Sequence, residues 1–262
     1  MDSSICDITE YVWLDHDSVG FPGSHVNSLL LFRDRVIRPS LRALDRKINA
    51  LRKNNNDIDD FFAEDLAEIF QATVEGYLLT IQSMWERGVR GMLISREKKL
   101  CKGIEVAALE RATWGGNRRN LQHHFTRLMG ISLYSFDTYT DLDLLQSFGN
   151  AIRHGDGEAA RRVYRLCPSL WWNRMEPGEV FMAGPCQISV PSDGPKHPDF
   201  ASITLSETVL KQMIQSVLWF WEDIENMRCN SFRLKAPSVV QNLAAWHEAR
   251  LRRESKRIWM PN

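Results

Sequence analysis

A long run of apolar residues at helical spacing lies in the middle of the chain, between residues 60 and 94. Residues three and four positions apart share a face of an α-helix, so this run predicts one helix with a single apolar stripe. The stripe comprises Leu66, Ile69, Phe70, Thr73, Val74, Tyr77, Leu78, Ile81, Trp85, Val89 and Met92. A stripe of this length is stable in water only when another element packs on it. At least one partner helix must therefore cover it.

Shorter segments with helical periodicity lie on both sides of this run. Helices are predicted at 25–52, 118–129, 158–166 and 206–227, with a last one from Ala236 onward. Pro39 should kink or divide the first of them, because proline has no N–H to donate. Thr204 and Glu207 fit a capping box at the start of the fourth. Asp137 or Thr140 is the expected cap of a further helix that begins near residue 140.

The predicted architecture is an all-α helical bundle, with more than half of the residues in α-helix. Short β-like runs occur only near 176–200, which predicts a small β-hairpin or an ordered loop insertion there. The expected organisation is an irregular lead at 1–24, a helical domain at 25–235 with its insertion at about 171–203, and a basic C-terminal helix or tail at 236–262.

Composition excludes several classes of protein. The 262 residues carry a formal net charge of zero at pH 7, so the whole chain is not a polycation that coats nucleic acid. The five cysteines include no Cys-x-x-Cys pair, which argues against a structural zinc site, and no other metal or cofactor motif is present. The N-terminus does not resemble a secretory signal, and no apolar run approaches the roughly 20 residues that span a bilayer. We therefore expect a cytoplasmic protein with reduced thiols and no membrane segment.

A group of polar side chains closes the helix that ends at the Gly-Asp-Gly turn at 155–157. Asn150 and His154 are four residues apart and share a helical face, and Arg153 directly precedes the histidine. An amide, a guanidinium and an imidazole beside such a turn can bind an anion and move a proton, which suits phosphodiester chemistry. The alternative, without any catalytic role, is that these side chains only form hydrogen bonds with free backbone groups at the end of the helix.

The run Asn-Ala-Ile-Arg-His-Gly-Asp-Gly at 150–157 resembles the motif region of the HEPN superfamily. Many members of that superfamily are all-α ribonucleases of toxin–antitoxin, abortive-infection and CRISPR-linked systems. Their signature is an arginine, usually followed by a polar residue such as asparagine, and then a histidine. Asn150 and His154 match the polar residue and the histidine, whereas Gly149 stands where the family has its arginine. In layout the resemblance covers about 25–225, including the long helix with Trp85-Glu86-Arg87.

The resemblance implies a metal-independent endoribonuclease or an RNA-binding component of a bacterial defence or toxin–antitoxin system. His154 would act on the ribose 2′-hydroxyl or the leaving oxygen, and Asn150 would orient the imidazole or the phosphate. Arg153 would supply the guanidinium that Gly149 lacks. The resemblance also implies a homodimer with the two 150–154 segments near the two-fold axis. The expected RNA-binding residues are Arg118, Arg119, Asp156, Arg161 and Arg162.

Two alternatives stand beside this interpretation. Gly149 supports a catalytically inactive HEPN-like antitoxin, scaffold or protein-interaction subunit, which would bind a protein partner. A second segment also fits the family signature, because Arg119 is followed by an asparagine and, after four intervening residues, by His124. The structural interpretation of that segment is the basic start of a helix. If both segments face one cleft, Arg118 or Arg119 supplies the missing guanidinium.

Overall fold

The computed structural model describes residues 7–13, 15–54, 56–115, 119–171, 178–183, 185–189 and 198–261. The structure is 73% helical, which confirms the predicted all-α class. The α-helices are α1 (Pro22–Phe32), α2 (Arg38–Arg52), α3 (Asp57–Leu100), α4 (Val106–Arg111), α5 (Leu121–Met129), α6 (Tyr139–His154), α7 (Glu158–Leu166), α8 (Glu207–Asn230) and α9 (Pro237–Leu251).

The long helix α3 organises the bundle. Its 44 residues give it a length of about 66 Å at 1.5 Å per residue. Helix α2 covers its first half, and α4, α5, α6 and α8 pack on its second half, so the predicted need for partner helices is confirmed. The centre of the core lies in that second half, where Trp85 contacts the rings of Trp114 and Phe220. These helices bury the second part of the apolar stripe, from Val74 to Met92, whereas Ile69 in its first part stays exposed.

Helices α1 and α2 run on from each other through a π-helical turn, Arg33–Ile37. Pro39 lies in the first turn of α2, directly after this π-turn. A proline there has no N–H to donate to the preceding turn, and a π-turn is a known way to absorb such a defect. The predicted division at Pro39 therefore falls where the helix changes its hydrogen-bond pattern.

The predicted caps of two helices are wrong. Helix α8 is capped by Ser206, whose Oγ accepts a hydrogen bond from the N–H of Val209 at 3.3 Å, so the capping box that starts at Thr204 does not form. Helix α6 has Thr138 as its N-cap residue, without a side-chain capping bond. This replaces the predicted caps, which were Asp137 and Thr140. The carboxylate of Asp137 instead accepts a hydrogen bond from Arg253, which comes from the far end of the chain.

The two strands of the described residues form the predicted hairpin. β1 (Val180–Ala183) and β2 (Cys186–Ser189) pair antiparallel, with Val180 opposite Ser189. Residues 172–177, 184 and 190–197 of the predicted insertion lie outside the described residues.

Ion pairs hold the basic C-terminal segment to the bundle. Helix α9 contributes no fully buried residue, yet one arginine in its last turn and two arginines after it reach buried carboxylates. Arg250 and Arg253 lie 2.6 and 2.8 Å from the same oxygen of Asp223. Arg257 donates to Asp141, which is 0% exposed. These three arginines therefore satisfy charges inside the protein. Of the helices that the structure describes, none is both long and apolar enough to cross a bilayer.

Candidate functional site

A polar cleft of about 480 Å³ lies between α3, the segment 113–115 and the helices α6 and α7. Its lining comprises Glu86, Thr113, Trp114, Gly115, Gln146, Ser147, Asn150, Arg153 and Arg162. Asn150 and Arg153 are two of the three predicted catalytic residues, and Arg162 is one of the predicted RNA-binding residues. The fold therefore brings together part of the predicted site, although Arg162 belongs to a different helix.

Gly149 faces α3 and is buried, so it lies behind the cleft lining. A Cβ atom built on Gly149 would lie 2.9 Å from Oε1 and 3.0 Å from Cδ of Gln82. Atoms do not approach that closely without a shift in the packing. Any side chain at position 149 would therefore require the buried side chain of Gln82 to move. An arginine at position 149 would enter the interface between the two helices instead of the cleft.

The hydrogen bonds of Gln82 define which way its amide points. The side chain is 1% exposed, and its Nε2 donates to Glu86 at 2.9 Å while its Oε1 accepts from Arg153. Since a guanidinium only donates and a carboxylate only accepts, this orientation of the amide is the one that satisfies both charged neighbours. Gln82 thus links the acidic and the basic side of the cleft.

The same logic fixes the orientation of Gln146. Its Oε1 accepts from Nε2 of Gln82 at 2.8 Å, so its own Nε2 must point elsewhere. That Nε2 is buried and has no hydrogen-bond partner. A buried donor without a partner is unfavourable by about 1–3 kcal/mol. Gln146 therefore places an unsatisfied donor behind the lining of the cleft, out of contact with solvent.

Two of the charged side chains in and beside the cleft are already neutralised. Glu86 lies 2.6 Å from the guanidinium of Arg90. Arg162 pairs with the carboxylate of Asp143, which also accepts a hydrogen bond from Nε1 of Trp114 at 3.2 Å. These pairs contribute shape and polarity to the site, and they leave its net charge unchanged.

Arg153 is different, because its partners are neutral. Its guanidinium donates to Oδ1 of Asn150 at 3.1 Å and to the amide oxygen of Gln82. No ion pair between Arg153 and a carboxylate occurs within the described part of the chain. The cleft therefore carries one uncompensated positive charge that is held in place by two amides. Such a guanidinium is suited to bind an anion, above all a phosphate or carboxylate.

The other predicted site residues that the structure describes lie outside the cleft lining. His154 is the last residue of α6, is exposed, and makes no hydrogen bond or ion pair with another described residue. Asp156 accepts a hydrogen bond from the N–H of Phe200 at 2.7 Å, which ties the turn after α6 to the segment before α8. Arg161 lies 3.4 Å from Glu158 on the surface of α7.

The segment at 119–124, which also fits the family signature, forms the start of helix α5. Asn120 caps α5, because its Oδ1 accepts from the N–H of His123 at 2.8 Å. His124 is 0% exposed and lies 3.5 Å from Glu105, so it has no access to a substrate. Arg119 is exposed but does not belong to the cleft lining, and Arg118 lies outside the described residues.

Burial should also make His124 a source of pH-dependent stability. Burial, followed by the nearby charge of Arg127, lowers the pKa of His124. The unfolded chain binds a proton at this histidine near pH 6.5, whereas the folded chain stays neutral there. The free energy of unfolding should therefore fall as the pH drops below that value, by at most about 1.4 kcal/mol per pH unit. Urea unfolding across the range of about pH 8 to about pH 5 measures this slope.

A matched pair of variants isolates this effect. His124→Gln should reduce the slope and leave the share of His25, whose pKa burial also lowers, whereas His123→Gln should leave the slope unchanged, because His123 is exposed. An equal slope in the wild type and in His124→Gln would show that the buried histidine is not its source.

Gln82, which accepts from Arg153, and Gln146, which accepts from Gln82, were not predicted from the sequence. Gln82 lies on the apolar stripe of α3, between Leu78 and Trp85, and Gln146 lies among the buried residues of α6. A polar side chain on a buried face needs a hydrogen-bond partner, and this rule would have identified both glutamines.

No family model, no curated protein and no solved structure matches the chain. The protein is classified by its own fold, which is an all-α helical bundle with a polar cleft. Within the residues that the structure describes, histidine, cysteine, aspartate and glutamate side chains do not form a group of three or more that could hold a metal ion.

Proposed function

We propose that this chain is a HEPN-like RNA-binding component that holds a phosphodiester in the cleft and does not cut it. The observation that carries the proposal is the guanidinium of Arg153, which lines the cleft with only amide partners. A phosphate oxygen would accept from this guanidinium.

The size and polarity of the cleft agree with a nucleotide ligand. A volume of about 480 Å³ lies within the usual range for small-molecule sites. Thr113, Ser147 and Asn150 add hydroxyl and amide groups to the lining, and such groups commonly contact sugars and bases. RNA is preferred over other anions because of the resemblance of the 150–157 segment to the HEPN motif region.

Binding without cleavage is preferred because the catalytic groups are not assembled. A general base must lie within hydrogen-bond reach of the proton that it removes. His154 does not line the cleft that contains Arg153, and the packing of Gly149 on Gln82 leaves no room for the arginine of the family pattern. This favours the inactive alternative for catalysis, with RNA as the ligand. The homodimer and a protein partner in a defence or toxin–antitoxin complex remain predictions.

Arg153→Gln should weaken the binding of single-stranded RNA roughly 10-fold, because it removes one charge-assisted contact. The slope of log affinity against log salt should also fall by about 0.7, which corresponds to one phosphate contact on a single strand. Fluorescence polarisation with a labelled single-stranded RNA at several salt concentrations measures both quantities. Arg252→Gln is the control, since Arg252 is exposed and lies outside the cleft lining, and it should bind as the wild type does.

Cleavage is scored in the same samples on a denaturing gel, and toxicity on expression is scored in parallel. We expect intact RNA with the wild type and with His154→Ala. Cleavage by the wild type that drops about 10²- to 10⁴-fold in His154→Ala would instead establish the endoribonuclease alternative. Equal affinity of Arg153→Gln and the wild type would show that the cleft does not bind RNA.

A further inference from the structure

A two-helix arm, formed by residues 38–73, extends from the main core. Helix α2 packs on α3 and follows the π-turn, and no other element packs on α2 to a comparable extent. Among the described residues of the arm, the fully buried side chains are Leu41, Ile48 and Ala63. Two helices that bury so little between them leave most of their surface available for another partner.

Large apolar side chains lie exposed on the α3 side of this arm. Ile58, Phe61, Phe62 and Ile69 are 70%, 62%, 52% and 51% exposed. Ile58, Phe62 and Ile69 are spaced by four and seven residues, so they lie on one face of α3. The ring of Phe61 packs edge-on against that of Phe62, with 6.3 Å between the ring centres. The arm thus presents a contiguous apolar strip in a region that the rest of the bundle does not cover.

The two helices of the arm carry opposite charges. The exposed charges on and directly after α2 are mainly basic (Arg42, Arg46, Lys47, Arg52 and Lys53), with Asp45 as an acidic exception. Exposed acidic residues at the start of α3 are Asp57, Asp60, Glu64, Asp65 and Glu68. Within the described residues, no ion pair joins the basic set to the acidic set. Both sets therefore remain available to a partner that approaches the arm.

We infer that the arm is a self-association surface, on which a second copy of this chain packs in antiparallel, two-fold symmetric contact. A two-fold interface requires a patch that is complementary to itself. The arm meets this requirement, because the basic side of one copy faces the acidic side of the other in both directions. The exposed phenylalanines would then lie between the two arms and leave water.

The charge pattern also argues against RNA, which is the other partner that a basic helix such as α2 suggests. An RNA strand bound along α2 would run beside the acidic residues of α3, which repel phosphates. A second copy brings both charges at once and leaves neither set unpaired. The inference is independent of the proposed RNA binding in the cleft, and it places the two-fold axis at the arm and not at the 150–154 segments.

Charge reversal tests this surface directly. Light scattering and sedimentation should show a dimer of the wild type that weakens between about 0.05 M and about 0.5 M salt, because exposed charges are screened. Residues 38–73 carry six basic and seven acidic side chains, a net charge of −1, which Arg42→Glu with Arg46→Glu shifts to −5 and Glu64→Lys with Glu68→Lys shifts to +3. Each double variant should dimerise roughly 10-fold more weakly or worse, because like charges then face each other. An equimolar mixture of the two variants should form a heterodimer, in which every pair is again complementary.

Control variants separate the effect of the arm from general effects of charge and from unfolding. Arg252→Glu with Lys256→Glu reverses two exposed charges outside the arm and should leave the dimer unchanged. Phe62→Ser should weaken the dimer without any change of charge, and circular dichroism establishes that each variant is folded. The inference is overturned if the wild type is a monomer at concentrations on the order of 10 μM. It is also overturned if both reversed variants dimerise as the wild type does, or if their mixture yields no heterodimer.

Discussion

Replacing Gly149 by arginine should lower the free energy of unfolding by about 3 kcal/mol or more, and it should not produce a ribonuclease. The new side chain would have to enter the interface between α6 and α3, where a Cβ alone already lies 2.9 Å from Gln82. Gln82 can make room only by losing its hydrogen bonds to Arg153, Glu86 and Gln146. Gly149→Arg would therefore restore the arginine of the family pattern and at the same time break the hydrogen bonds that hold Arg153 in the cleft.

Two further glycine variants separate packing from helix propensity. Gly149→Ala should be destabilising by about 1–3 kcal/mol, because it adds the clashing Cβ without a longer side chain. Gly91→Ala, on the exposed face of α3, should stabilise the protein by up to about 1 kcal/mol, because nothing lies within 4 Å of its Cβ position. Urea unfolding followed by circular dichroism measures all three variants. If Gly149→Arg is as stable as the wild type, the close approach of α6 to α3 is not required.

Removal of the Asp223 carboxylate should destabilise the protein by about 3 kcal/mol or more. Its side chain is 4% exposed and lies within 2.8 Å of both Arg250 and Arg253. In Asp223→Ala, both guanidiniums would depend on the more distant Asp137, and Arg253, which is only 7% exposed, would keep one further carboxylate, Glu222 at 3.5 Å. A buried charge that loses its partner is among the most unfavourable changes in a protein interior. The segment from α9 onward, which is held largely by such pairs, should detach first.

The experiment compares Asp223→Ala with Glu158→Ala. Glu158 also pairs with two arginines, Arg161 and Arg165, but its side chain is 73% exposed. Exposed ion pairs contribute little, so Glu158→Ala should unfold close to the wild type. Thermal unfolding gives the stability of each variant, and limited proteolysis reports the release of the C-terminal segment. Equal behaviour of the two variants would mean that the buried pairs do not hold α9.

Helix positions were predictable wherever the signals are local. Helix α7 occupies Glu158–Leu166, as predicted, because Gly157 interrupts the chain before it and Pro168 prevents its continuation. The long helix begins at Asp57, one turn earlier than expected, because the side chain of Asn56 accepts from the N–H of Asp59. The caps of α6 and α8 were missed since several neighbouring polar residues compete for the same role.

The candidate site was predictable only in its local part. Asn150 and Arg153 are three residues apart on α6, and they are in fact joined by a hydrogen bond. Arg162 was expected to bind RNA, but its place in the same cleft depends on how α7 folds back on α6. His154, although adjacent to Arg153 and on the same helical face as Asn150, does not belong to the lining; it is the exposed last residue of α6.

The amino-acid sequence by itself determined the helical class, the order of the helices and the polar end of α6, because helical periodicity depends on residues within four positions of each other. The tertiary structure alone decided which polar groups meet. Gln82 reaches Gln146 across 64 positions and Arg153 across 71, and the basic tail finds its carboxylates more than 20 positions away. Such contacts follow from the packing of whole helices, and no local pattern encodes their geometry. The same packing gives Gly149 its role, since the need for a small residue arises only where α6 meets α3.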